Sequence, residues 1–84
     1  MRRVRLNQLK RKERFEFCSN VQEELGVYGV FWISVPYSNK ITRVRKVSSE
    51  KEYLIRFLEK KTLIKDWKTG EKMEFPGEIL VIVD

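Results

Sequence analysis

Apolar positions recur along the chain with two different periods, and each period predicts a different kind of element. Residues 2–6 alternate Arg3 and Arg5 with Val4 and Leu6, which fits an edge strand or a basic N-terminal arm. Phe15, Cys18, Val21, Gln22 and Leu25 follow at spacings of three and four. With Asn7 placed to cap the start and Gly26 to close the end, this stripe predicts a helix over 7–25. Arg14, Phe15, Glu16 and Phe17 alternate as a strand would, but no turn residue interrupts the run before Ser19 and Asn20, and the helix is the better reading.

Residues 27–35 are β-branched or aromatic at nearly every position, and Pro36 ends the run. A strand is expected, covered on both faces because both are largely apolar. Tyr37, Ser38, Asn39 and Lys40 read as a turn into an antiparallel partner over 41–47 that projects Arg43 and Arg45 on one face. Ser49, Glu50, Lys51 and Glu52 match a capping box and predict a second helix to about residue 60. Tyr53, Leu54 and Ile55 would also suit a strand, and the helix is weighed only slightly ahead.

The last third reads as strands. Segments 63–67 and 71–75 flank Lys68, Thr69 and Gly70, a three-residue hairpin loop. Pro76 and Gly77 then turn the chain into an apolar strand over 79–83, completing a three-stranded meander. The resulting fold class is α+β, a small single domain over 1–84 whose antiparallel sheet carries an N-terminal helix and a second helix on one face. If 50–60 is a strand, a half-open small β-barrel with one helix replaces it.

Length and charge narrow the function classes. A chain of 84 residues holds one core, and a core of that size leaves modest net stability, so a homodimer is an option. The net charge of +6 resides entirely in the first fourteen residues, where Arg2, Arg3, Arg5, Lys10, Arg11, Lys12 and Arg14 oppose Glu13 alone. A second basic run, Lys40, Arg43, Arg45 and Lys46, lies in a stretch without acid between Glu24 and Glu50. Focused positive charge of this kind suits a polyanion, since phosphate neutralisation releases counterions.

Catalytic chemistry finds no foothold. Histidine is absent, which removes the commonest general base and metal ligand, and no phosphate-cradling glycine loop occurs. Cys18 is the single cysteine and lies on the predicted apolar stripe, where it packs as a small hydrophobe. No catalytic residue, metal site or cofactor is assigned. Without a disulfide framework, a signal-like apolar region or a span of about 20 apolar residues, the cytoplasm is expected and a membrane partner is not.

The expected activity is therefore non-enzymatic binding of DNA or RNA. Arg2, Arg3, Arg5, Lys10, Arg11, Lys12 and Arg14 would make the phosphate contacts, helped by Arg43, Arg45 and Lys46. Tyr28, Trp32 and Tyr37 are the candidate base-stacking residues. The competing expectation is a small adaptor, regulator or inhibitor that docks a larger nucleic-acid-processing enzyme or complex through an acidic protein surface.

Overall fold

Phe15 and Phe17 are both buried at 2% exposure while Arg14 and Glu16 between them face solvent. A helix would hold the two rings roughly 200° apart around its circumference, so one of them would stay in water. A strand buries both, each ring contributing about 2–3 kcal/mol on removal from water. The computed structural model, which describes all 84 residues, resolves 7–25 accordingly. A single 3-10 turn spans Leu6–Gln8, strand β2 spans Arg14–Phe17, and the only α-helix, α1, is confined to Ser19–Leu25. Between them the chain reverses in a tight turn. The Glu13 carboxylate accepts from the Lys10 N–H at 2.8 Å, and Lys12 takes a left-handed backbone at φ 70°. Gly26, at φ 67°, closes α1 as the sequence predicts.

The second expected helix is also a strand. With β1 at Arg2–Arg5, the remaining strands are β3 (Val30–Ser38), β4 (Ile41–Lys46), β5 (Glu52–Phe57), β6 (Lys61–Asp66), β7 (Lys72–Pro76) and β8 (Leu80–Val83). Tyr53 and Ile55 of β5 are buried, whereas Glu52, Leu54 and Arg56 take the opposite face. Flanking strands on both sides give this alternation a core to bury into, and that tertiary pairing overrides the local helix signal. The Ser49 hydroxyl caps no helix. It accepts from the Lys51 N–H at 3.4 Å in the β4–β5 turn, where Glu50 sits at φ 58°.

All eight strands form one antiparallel sheet in the order β1-β8-β2-β3-β4-β5-β6-β7, curled into a half-barrel with extents of 27 × 27 × 26 Å. The α+β class with helices on one face is thereby overturned, and the half-barrel weighed as its alternative describes the chain. Two further expectations are corrected. β8 does not extend a meander from β7. After Gly77, whose N–H donates to the Lys60 carbonyl, the chain crosses the open side of the sheet, and β8 inserts between β1 and β2. Pro36 does not end β3 either, because register shifts between Ile33 and Val35 and between Val35 and Ser38 accommodate a residue that cannot donate to the ladder.

The core fills the concave face. Phe15, Phe17, Phe31 and Tyr53 meet ring to ring at 5.0–6.0 Å, with Ile33, Val44, Ile55, Ile64 and Val81 around them. Leu6, Leu9, Val21, Val27 and Ile79, from the 3-10 turn, α1 and the connecting segments, close the cluster. The convex face carries polar side chains and the two tryptophans, interspersed with Ile41, Leu54 and Leu63.

One buried carboxylate makes the turn after β6 pH-sensitive. Asp66 accepts backbone N–H bonds from Thr69 at 3.1 Å and Lys68 at 2.9 Å, with the Lys51 ammonium 4.0 Å away. The Thr69 bond foremost, against the opposing effect of burial and with help from Lys68 and Lys51, holds the Asp66 carboxyl below the usual carboxylate range. A lowered folded-state pKa stabilises the fold above the unfolded value and ceases to do so as pH falls through the folded one. The melting temperature is therefore expected to fall on acidification below the ordinary aspartate range near pH 4. In Asp66→Asn that acid-limb loss should be smaller in thermal melts followed by circular dichroism.

Candidate functional site

Antiparallel pairing aligns five side chains in one row across the convex face. Arg14 pairs with Trp32, Trp32 with Arg45, and Arg45 with Glu52. The Trp67 N–H donates to the Glu52 carbonyl at 2.8 Å, which brings Trp67 into the same row. Side chains directly opposite one another point to one side of a sheet, so the row reads arginine, tryptophan, arginine, glutamate, tryptophan. Three strand spacings set the two indoles about 14 Å apart.

Glu52 ties the middle of this row together. Its carboxylate binds a terminal nitrogen of Arg43 at 2.8 Å and one of Arg45 at 3.2 Å, and it also accepts from the Ser34 hydroxyl at 3.1 Å. Each guanidinium also lies over an indole: Arg43 is 4.2 Å from the Trp67 ring centroid and Arg45 is 5.5 Å from that of Trp32. The carboxylate is 12% exposed, the guanidinium side chains 30% and 37%, so the pairing is partly shielded from water and stronger than a surface ion pair. The remaining terminal nitrogen of each arginine makes no hydrogen bond within the protein. Two guanidiniums thus share one carboxylate, each lying over an indole.

Further cations lie beside it, among apolar and acidic side chains. The next row across the sheet runs Arg43, Leu54, Lys65 and Lys72, and the one beyond contains Ile41, Arg56, Leu63 and Glu74. On the other flank Lys12, Arg14, Trp32, Val47 and Glu50 line a shallow groove.

The residues singled out in the sequence are divided by the fold. Arg14, Arg43, Arg45 and Trp32 come together on the convex face, with Lys12 at its margin. Arg2, Arg3 and Arg5 lie on the edge strand β1, where Arg5 is ion-paired to Glu78 at 3.3 Å, and Lys10 and Arg11 lie in the turn before β2. Lys46 is opposite the buried Phe31, and its side chain runs beside Gly29 at the rim of the concave face, away from Arg43 and Arg45. Tyr28 precedes β3, where Gly29 turns at φ 92°, and is out of register with Trp32. Tyr37 packs edge-on to Phe57 at 5.6 Å, outside the row.

Glu52, Arg56, Lys65, Trp67 and Lys72 complete the convex face, and the sequence reading assigned none of them to a site. For Glu52 and Arg56 the signal was the period-two alternation of 52–57, which a helix over that segment hides; Lys65, Trp67 and Lys72 lie on segments that do read as strands and join the face only through strand pairing. No helix is long and apolar enough to cross a membrane. No family model matches this sequence, and no curated protein or solved structure matches it significantly.

Proposed function

We propose that this chain is a non-enzymatic nucleic-acid-binding domain whose interface is the convex face of β2–β7, and that it takes single strands. The observation that carries the reading is the row in which Trp32 and Trp67 flank guanidiniums held by Glu52. Bases stack on aromatic faces with little sequence preference, each stack worth about 1–3 kcal/mol, while arginines beside the rings meet the phosphates. A duplex hides its base faces, so aromatic platforms favour unpaired strands. Arg14, Arg56, Lys65 and Lys72 extend the positive field along the same surface. A single buried cysteine suits a reducing compartment such as the cytoplasm.

Fluorescence anisotropy with labelled single-stranded RNA, single-stranded DNA and duplex DNA tests the reading at low and near-physiological salt. Single strands are expected to bind at least about tenfold tighter than duplex and to keep that preference as salt rises. Equal binding to all three that vanishes at near-physiological salt would mean nonspecific basic attraction and would return the convex face to an acidic protein partner.

Glu52 gives a second test with an unusual sign. Glu52→Gln removes the one carboxylate that both guanidiniums bind. It is expected to tighten single-strand binding severalfold and to steepen the salt dependence by about 0.7 in log-log slope, while lowering stability by about 1–3 kcal/mol. Weaker binding by a variant that is still folded would show that Glu52 positions the arginines rather than competing with phosphate.

A further inference from the structure

The sheet ends on β1 and on β7, the latter with α1 packed against it, and the two edges differ in how they would meet a copy of themselves. In an antiparallel ladder the backbone groups of alternate residues point to the same side. The Asp66 N–H donates to the Glu71 carbonyl and the Gly77 N–H to the Lys60 carbonyl, so residues 71, 73, 75 and 77 turn their backbone groups toward β6. Lys72 and Glu74 therefore turn theirs to the open side, and Pro76 has no N–H to offer there. The same reasoning on β1 leaves Arg3 and Arg5 facing outward, and the Arg5 N–H is already taken by the Gln8 side chain at 3.3 Å.

We infer that β7 pairs with the β7 of a second copy of this chain, antiparallel about a two-fold axis through Met73. In that register Lys72 stands opposite Glu74 of the other copy and Glu74 opposite its Lys72. Both residues with free backbone groups then form hydrogen-bonded pairs, each exchanging both of its bonds. Opposite charges meet across the junction on the convex side, and the two Met73 side chains, each partly buried against its own core, meet on the concave side. Pairing stops one step further on, where Pro76 lacks a donor, so the junction is short and self-limiting. Self-pairing of β1 in the equivalent register would place Arg3 opposite Arg5, a like-charge contact, so that edge is protected from the same reaction. Continuous antiparallel pairing keeps both convex faces on one side of the joined sheet.

Sedimentation velocity of the full chain without nucleic acid, over a wide concentration range, tests this independently of the binding reading. A monomer–dimer equilibrium is expected. Lys72→Glu sets glutamate against glutamate at both symmetric positions and is expected to weaken the dimer about tenfold or more. Glu74→Lys is expected to do the same by opposing lysines, at the cost of its exposed 3.2 Å ion pair with Lys61. The double variant Lys72→Glu, Glu74→Lys restores opposite charges across the junction, and its dimer is expected to recover to within about threefold of the original. Thermal melts of each variant confirm folding. A wild-type chain that stays monomeric, assembly that grows beyond the dimer, or single and double variants that dimerise alike would each overturn the inference.

Discussion

Phe31→Ala is expected to lower the melting temperature by roughly 15–30 °C, the largest stability effect of any single substitution considered. Phe31 is fully buried and is the ring on which the aromatic cluster converges, stacked on Phe15 at 5.9 Å and edge-on to Phe17 at 5.0 Å and Tyr53 at 6.0 Å. Truncating a buried phenylalanine costs about 3–5 kcal/mol, since the transfer energy is lost and the cavity only partly collapses. A domain of this length has roughly 4–12 kcal/mol in total, so the variant stands near the unfolding threshold. Phe31→Leu keeps most of the volume and is expected to lose less than half as much. Circular dichroism melts check both, and a shift under about 5 °C for Phe31→Ala would remove this ring from the centre of the core.

The joint substitution Trp32→Ala with Trp67→Ala is expected to weaken single-strand binding at least about thirtyfold, because each indole supplies a stacking surface worth about 1–3 kcal/mol. Duplex binding, which rests on phosphate contacts, is expected to change less than about threefold. The fold should tolerate the change: Trp67 is 52% exposed and neither indole belongs to the concave core. Conservative replacement by phenylalanine keeps an aromatic face for Arg43 and Arg45 and is expected to recover most of the affinity. Anisotropy on the three proteins measures this, and equal losses for single and double strands would mean that the indoles only orient the arginines.

Strands were legible where the chain alternates and turn residues bound the run. The hairpin around Gly70, the β3–β4 pair and the apolar C-terminal strand all follow from local chemistry, with Gly70 at φ 77° where the loop needs it. Segments 14–17 and 52–57 carry local helix signals yet form strands, for one shared reason. Each alternates over only a few residues inside a window whose three-and-four spacings or capping residues also suit a helix. What decides between them is non-local: Phe15 packs on Phe31, and Ile55 lies between Thr42 and Ile64 in the ladder. Helix propensity is worth a few tenths of a kcal/mol per residue, and burial of such side chains far outweighs it.

The site was legible in part for the same reason. Arg43 and Arg45 were placed on one face by period two alone, and their strand formed as read. Basic residues close in sequence were a poorer guide. The N-terminal cluster is spread over an edge strand, a turn and the convex face, because the chain reverses direction at residues 10–13. Glu52 and Trp67 join Arg45 and Trp32 only through the register of β3 through β6, information that exists once the strands are paired.

The most direct test of the convex face as the interface is an amide and indole NMR titration of the isotope-labelled chain with a short single-stranded oligonucleotide at near-physiological salt. The account predicts saturable shifts at the indole N–H groups of Trp32 and Trp67 and at the amides of β3 through β6 around Arg43, Arg45 and Lys65, with β1 and residues 10–11 little changed. Shifts concentrated at Arg2, Arg3, Arg5, Lys10 and Arg11, with both indoles unmoved, would contradict it and place binding on the basic N-terminal edge.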